Sequence, residues 1–474
     1  MLDIETLYLS VRQLGNLLRK RQISPVELAE SYLERSQRLG PKYNAYVTLT
    51  PELALQQARQ AEREIRLGHH RGPLHGIPYA AKDLVSVEGY KTTWGAAPYA
   101  EQQLGYNAAV IEKLNGAGAV LIGKASMIEL AGGLGYSNGY ASLTGPCRNP
   151  WNTDYWTCGS SSGSGAIVAA ALAPWALGSD TRGSIICPAA SCGIAGMRPS
   201  FGRVSRYGVM TISWSMDKLG PMARTADDCG LILAQIAGHD PRDHDSLPVN
   251  QASFRYPVST SATRERLRIG RLTNAWKRLP DPLEQSLSDA IGMLREAGEK
   301  VEDVEFPQGP YEEAAELTIL MEAAAAFRDL VSSGRCAQLR DPLGQINGYA
   351  SEQFSSSDYL QVQRVRAVLQ KNVDRLFERF DVLTTAAQST QAERLAEQTS
   401  PGGAEEEDEE IESRAPDGVS SLCGLPAISV PCGFSTERLP YGIQFIARAG
   451  NDHRVLEAAV RFQRLTKWHL ERPV

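Results

Sequence analysis

The chain has 474 residues, a formal net charge of −6, 42% hydrophobic and 22% charged residues, which is ordinary for a globular chain with a sizeable buried core. No Lys/Arg block stands out that could neutralise a run of phosphates, so direct nucleic-acid binding is not expected. No stretch approaches the roughly twenty apolar residues of a membrane span, and Met1 to Gln22 has no apolar run of signal-peptide type. The eight cysteines are scattered without a C-x-x-C pair and read as reduced thiols, so the expected location is cytoplasmic.

Ser24-Pro25-Val26-Glu27 has the pattern of a capping box with proline at the first helical position, which opens a helix expected to close at Gly40. A second helix is expected from Pro51 to about Leu67. From the loop 68–76 to Gly220 the chain is rich in Gly, Ser and Ala, and short apolar runs such as Ala119 to Ile122 alternate with helical patterns. After about Pro248, Leu267–Leu272, an amphipathic stretch carrying Leu283, Leu287, Ile291 and Leu294, and Val301–Phe306 read as strand, helix and strand. Helical patterns follow at Tyr311–Val331 and Asp358–Phe380. Strand-like runs follow at Asp381–Thr385, Ala427–Pro431 and Gly442–Arg448, and a helix closes the chain at Asn451–Lys467. Two segments read as loops, 250–263 and 388–418. The second carries the acidic run Glu405, Glu406, Glu407, Asp408, Glu409, Glu410, which self-repels and is expected to be a mobile, solvated loop.

Two patterns mimic other chemistries. Gly118-Ala-Val-Leu-Ile-Gly123-Lys124 fits part of a phosphate-binding loop, but its apolar middle reads as a buried strand, and Ala125 stands where a magnesium-holding hydroxyl is needed. Gly159-Ser160-Ser161-Ser162-Gly163 fits a nucleophile elbow with Ser161 at its centre. That reading needs a strand just before it, where Asn149–Tyr155 reads as a turn-rich loop, and a later histidine, for which His469 is one of four candidates. Seven histidines without H-E-x-x-H or zinc-ligand spacing argue against a metallohydrolase, so neither a metal nor a cofactor is expected.

Three stretches combine into one chemical argument. Gly76-Ile-Pro-Tyr-Ala-Ala-Lys82-Asp83 ends an apolar run on a lysine, a residue that rarely enters a core without a reason. Gly159 to Gly165 is a cluster of hydroxyls leading directly into the apolar helix Ala166–Leu172, whose N-terminal N–H groups favour developing negative charge. Gly178-Ser-Asp-Thr-Arg-Gly183-Ser184 follows a strand expected at Trp175–Leu177 and makes a turn whose backbone amides can form an oxyanion hole. Lysine acts as a base near neutrality only if desolvation depresses its pKa from about 10.4, and a buried Lys82 meets that condition.

The run from Gly159 to Pro199, together with Gly76-Ile77-Pro78 and Lys82-Asp83, resembles the amidase signature family. Further blocks extend the similarity over the whole chain: Gly72–Pro78, Gly202–Gly208, Asp217–Arg224 and Gly424–Gly433. The resemblance implies one α/β amidase domain over residues 1–474, built on a large twisted mixed sheet surrounded by helices. The signature core would be about 72–225 and the substrate-pocket part about 264–474. It implies Ser184 as nucleophile, Ser160 as a bridging serine held by a cis peptide bond, and Lys82 as base. Backbone amides of Thr181, Arg182, Gly183 and Ser184 would form the oxyanion hole, and Ala131, Gly132 and Gly133 would line the acyl site. The implied partner is a small-molecule amide, ester or carbamate, and a homodimer is among the implied assemblies.

The closest matches in the N-terminal half, including Gly238-His-Asp-Pro-Arg-Asp243, are to A subunits of glutamine-dependent tRNA amidotransferases. The Ala-rich stretch 317–331 and Thr384-Thr385-Ala386-Ala387 depart from that branch, so a stand-alone amidase is favoured over an amidotransferase subunit. A non-catalytic protein on this scaffold is disfavoured because the three relay residues are intact. Arg182 replaces the first of the usual two glycines before the nucleophile. It is expected either to pair with a carboxylate such as Asp180 or Asp83, or to line the substrate pocket.

Overall fold

The computed structural model describes residues 1–256, 266–276, 278–399 and 416–473. The acidic run 405–410 lies outside the described residues. Eleven strands form one mixed sheet: β1 (Tyr46–Leu49), β2 (Pro78–Lys82), β3 (Val120–Ala125), β4 (Trp175–Asp180), β5 (Ala195–Arg198), β6 (Lys218–Ala223), β7 (Arg268–Leu272), β8 (Lys300–Val304), β9 (Val382–Ala386), β10 (Ala427–Phe434) and β11 (Pro440–Ile446). Their spatial order is β1-β3-β2-β4-β6-β5-β10-β11-β9-β7-β8, and helices surround the sheet. The central strands are apolar and buried from end to end, as expected of strands covered on both faces.

The register of two parallel pairs positions the site. Lys82 at the end of β2 pairs with Ala125 of β3, and Ala81 lies opposite Leu177 of β4. The C-terminal ends of β2 and β4 therefore emerge side by side, where ligand crevices of α/β sheets form. Beneath them the buried rings of Tyr79 and Trp175 stack with centroids 4.7 Å apart.

The helices that matter for the site are α1 (Pro25–Tyr43), α2 (Pro51–Arg66), α3 (Ser162–Ala169), α4 (Ile186–Cys192), α5 (Asp281–Glu296), α6 (Tyr311–Ala326), α7 (Ser356–Asp374), α8 (Pro416–Leu422) and α9 (Asp452–Leu465). In α1 the Ser24 hydroxyl accepts from the Glu27 amide, which is one half of the expected capping box. The helix runs three residues past Gly40, through Pro41, and ends where Asn44 takes a left-handed conformation. The expected long helix over 311–331 is two helices, because Phe327 breaks α6 from Arg328–Ser332. The stretch expected as a loop at 250–263 begins with a short helix, Val249–Ala252. The one expected at 388–418 contains the 3-10 turn Leu395–Thr399 and runs into α8. The turn-rich segment before the serine cluster forms a two-stranded ribbon, Arg148–Asn149 with Asn152–Trp156, separate from the main sheet.

The Gly118–Lys124 stretch is the buried strand β3, as its apolar middle suggests. Lys124 is fully buried there and pairs with Asp83 at 2.8 Å. One cysteine expectation is corrected: Cys158 and Cys187 form a disulfide, and the remaining six cysteines are free and buried. Their distant positions in sequence hid the pairing, since only the fold brings their Cα atoms to 6.0 Å. Among the described residues no helix is long and apolar enough to cross a membrane.

Helix α3 is buried on every side, and Gly163 lets it approach its neighbours. A Cβ there would lie 2.5 Å from Ala45 O and from Ser126 N. Gly292 in α5 is the contrary case, with nothing within 4 Å of an added Cβ. Gly163→Ala should therefore lower the urea midpoint, at a cost of about 1–3 kcal/mol from overpacking. Gly292→Ala should raise the midpoint, through a gain of about 0.4–1 kcal/mol in stability. Equal effects of the two substitutions in equilibrium unfolding would contradict this packing.

Candidate active site

Lys82 leaves the end of β2 with its side chain completely buried. Its Nζ lies 2.7 Å from Ser160 Oγ, 3.0 Å from Ser161 Oγ and 2.9 Å from Ser179 Oγ. Burial disfavours the charged ammonium and pulls its pKa down to about 7, with Asp180 and Asp217 opposing the shift. Three hydroxyls supply the hydrogen bonds that make such burial tolerable. The peptide bond between Gly159 and Ser160 is cis.

Ser184 stands half-buried in the turn between β4 and α4. That turn is organised by Asp180, whose carboxylate accepts from the amides of Gly183 at 2.9 Å and Ile185 at 2.8 Å. Burial alone would push Asp180 up, but Arg198, Lys218 and those amides outweigh it and hold the carboxyl below its usual range. Arg198 is itself fully buried and reaches Asp180 and Asp417, each at 3.2 Å, and Ser421 Oγ at 2.9 Å. The Thr181 hydroxyl donates to Asp217 at 2.6 Å, pinning the other side of the turn.

These bonds narrow the expected set of oxyanion donors. Gly183 directs its N–H at Asp180 and is committed, because the carboxylate sits under the turn. Among the described residues the amides of Thr181, Arg182 and Ser184 donate to no protein acceptor. The Ser184 carbonyl accepts from the Ser161 amide at 3.3 Å, which ties the turn carrying Ser184 to the serine cluster.

The Ala131–Gly133 loop has two consecutive non-glycine residues at positive φ, Leu130 at 50° and Ala131 at 53°, followed by Gly132 at 83°. Gly133 is pressed between Ile212 and Phe327, since an added Cβ would lie 2.6 Å from the first and 3.0 Å from the second. The Glu129 carboxylate accepts from the amides of Arg340 and Asp341, holding the loop from behind.

Arg182 pairs with neither Asp180 nor Asp83, which are taken by Arg198 and Lys124. Its Nη1 lies 3.6 Å from Glu312 Oε2 of α6, with 41% of the side chain exposed. Burial pushes the Glu312 carboxyl up to about 7 against the pull of Arg182, and pushes Asp417 up to about 6 against that of Arg198. The sequence reading missed Ser179, Asp180 in its supporting role, Glu312 and Asp417. Ser179 and Asp180 stood beside the predicted nucleophile, but Glu312 and Asp417 come from distant helices and carried no local signal.

Among the described residues the elbow alternative finds no histidine bonded to Ser161. The Ser161 hydroxyl donates to Ser179 O at 3.1 Å and accepts from Lys82, and the strand before it belongs to the separate ribbon. His469 lies in the C-terminal turn, its carbonyl accepting from Arg224.

Residues 27–456 match the family model described as Amidase. The A subunit of glutamyl-tRNA(Gln) amidotransferase from Cupriavidus taiwanensis is 35% identical over 502 aligned positions, covering 98% of each chain. A 6-aminohexanoate cyclic dimer hydrolase in complex with its substrate superposes with a TM-score of 0.86 at 26% identity, covering 98% of this chain and 99% of that one. A peptide amidase in complex with the competitive inhibitor chymostatin gives 0.83 at 29% identity, with coverage of 98% and 99%. The chain therefore belongs to the amidase signature family, hydrolases that act on carbon–nitrogen bonds.

Proposed function

We propose that this protein is a stand-alone amidohydrolase that cleaves a linear amide, and by the same chemistry an ester or carbamate, through a Ser184 acyl-enzyme. The observation that carries the reading is the buried Lys82 amine, 2.7 Å from Ser160 and near neutral in pKa. A neutral amine has two N–H bonds and one lone pair for its three hydroxyl partners. The Ser161 proton is committed to Ser179 O, so Ser161 accepts from Lys82. Ser160 is then placed to donate to the lone pair, passing on a proton received from Ser184.

Ser184 Oγ attacks the carbonyl carbon, and the amides of Thr181, Arg182 and Ser184 receive the oxyanion. Lys82 returns the proton through Ser160 to the leaving nitrogen, which departs as amine or ammonia. Water then attacks the acyl ester by the same route, releasing the carboxylic acid. Residues 131–133 line the acyl side, and Arg182 with Glu312 forms the rim opposite. The similarity to A subunits of amidotransferases supports a second reading, a glutaminase subunit acting on glutamine. The departures in 317–331 and 384–387 favour the first.

Ser184→Ala should lower kcat by about 10⁴ to 10⁶, the scale seen when a triad nucleophile is removed. A fluorophosphonate should label Ser184 in peptide mapping, and a label on Ser161 would overturn the assignment. A panel of neutral, bulky and acidic amides assayed beside glutamine, with products identified by mass spectrometry, separates the two substrate readings. Strong activity on glutamine alone would favour the subunit.

The base works only when deprotonated, so kcat/KM should rise with pH and level off above about 7, following Lys82. Lys82→Ala should lose both the rate and this limb, and an active variant with an unchanged profile would exclude Lys82 as the base. Arg182→Gly should shift relative kcat/KM across the panel while the melting temperature stays nearly constant, because a half-exposed ion pair contributes only about 0–1 kcal/mol. A lowered melting temperature with unchanged selectivity would assign Arg182 a structural role.

A further inference from the structure

The disulfide is placed around the two serines of the relay. Cys158 lies two residues before Ser160, and Cys187 lies three residues after Ser184, in the first turn of α4. The bond therefore joins the segment that delivers the bridging serine to the helix that follows the proposed nucleophile. Near the serines themselves the backbone tie between these segments is the Ser161-to-Ser184 hydrogen bond, at a long 3.3 Å.

Cys158 also sits at φ 62°, in the left-handed region. A residue with a Cβ pays about 1–2 kcal/mol there, whereas glycine enters freely. Something must hold Cys158 in place, and the covalent link to α4 does so. Without it the steric cost of the left-handed φ at 158 is opposed by noncovalent bonds such as Thr157 N–H to Cys147 O at 3.3 Å and Ile128 N–H to Ser160 O at 3.2 Å. Both cysteines are half-buried and line a cleft of about 120 Å³ together with Gln388, Thr390 and Glu393. The six other cysteines are all buried, so this pair is the one a small thiol meets first.

We propose that the Cys158–Cys187 disulfide is a positioning element of the relay, and that low-molecular-weight thiols switch the enzyme to a poorly active state by opening it. In that reaction a thiolate attacks one of the two sulfurs, the protein S–S bond breaks, and the other cysteine leaves as thiolate. A second thiol removes the first as its disulfide. Two RSH are oxidised to RSSR, and the protein gains two S–H groups. This inference rests on the Ser184–Ser160–Lys82 relay and goes beyond it, because nothing in the relay chemistry itself requires the cysteines.

The test uses the full chain and the rate at which a fluorophosphonate labels Ser184, so it needs no identified substrate. The protein is compared before and after treatment with dithiothreitol, with alkylation and peptide mapping to show which thiols have opened. Reduction should open Cys158 and Cys187 alone and lower the maximal labelling rate by about 10- to 100-fold, the scale of a displacement of about 1 Å in a reacting group. The concentration of probe giving half the maximal rate should change far less. Cys158→Ser should be slow and insensitive to thiol. Cys158→Gly, which takes the left-handed φ without steric cost but lacks the bond, should label faster than Cys158→Ser and be equally insensitive to thiol.

Equal rates in the oxidised and reduced protein, with the pair shown to be open, would overturn the proposal. So would alkylation of both cysteines before any reductant is added. Loss of the folded circular-dichroism signal on reduction, with Cys158→Gly equally slow, would make the bond a general staple and also overturn it. A Ser184→Ala protein that still labels would instead bring down the relay reading, whatever the cysteines do.

Discussion

The site depends on burying the Lys82 amine at the end of a central strand. A fall in pKa from 10.5 to about 7 corresponds to a cost on the order of 5 kcal/mol. The cost is present in full below about pH 7, where folded and unfolded chains both carry the proton. It fades as pH rises towards 10.5, where both are neutral. A core lysine on these terms is retained only if the rest of the fold offsets it. Here the offset comes from three hydroxyls delivered by two separate segments, Ser160 and Ser161 from the entry to α3 and Ser179 from the end of β4.

The second constraint is the carboxylate beneath the turn that carries Ser184. Asp180 takes two amides of that turn and is held charged by a fully buried Arg198, which in turn gathers Asp417 and Ser421 from α8. The turn is thus fixed from below by hydrogen bonds to charged groups, which are stronger and more directional than neutral ones. Among the described residues this leaves the amides of Thr181, Arg182 and Ser184 without a protein acceptor. Arg198 also joins the end of β5 to α8 through Asp417, so the turn and that helix share one ion-pair network.

Much of the architecture was legible because it is written in local patterns. Periodicity and caps located the helices at 25–43, 51–66 and 281–296, and the continuous apolar runs located β2, β3 and β4. The misses have specific causes. Phe327 splits a helix that periodicity alone would continue, and Pro41 sits inside a helix expected to stop before it. The ribbon before the serine cluster is too short and polar to show an alternating pattern. The cysteines were misread because spacing cannot show that residues 158 and 187 meet across the nucleophile turn.

The sequence by itself determined the local settings on which the proposed chemistry draws: a lysine ending an apolar strand, a hydroxyl cluster at a helix start and a serine after a glycine turn. Each is a local arrangement in which residue type and neighbours specify what the group can do. The tertiary structure alone decided which groups meet. It placed Ser179 as the third partner of Lys82, turned the Gly183 amide to Asp180, gave Arg182 to Glu312 and closed the bond between Cys158 and Cys187. Apart from the Gly183–Asp180 bond, those outcomes depend on distances between segments as far apart in the chain as residues 182 and 312. Such distances are set by strand order and helix packing, and no local pattern in the chain encodes them.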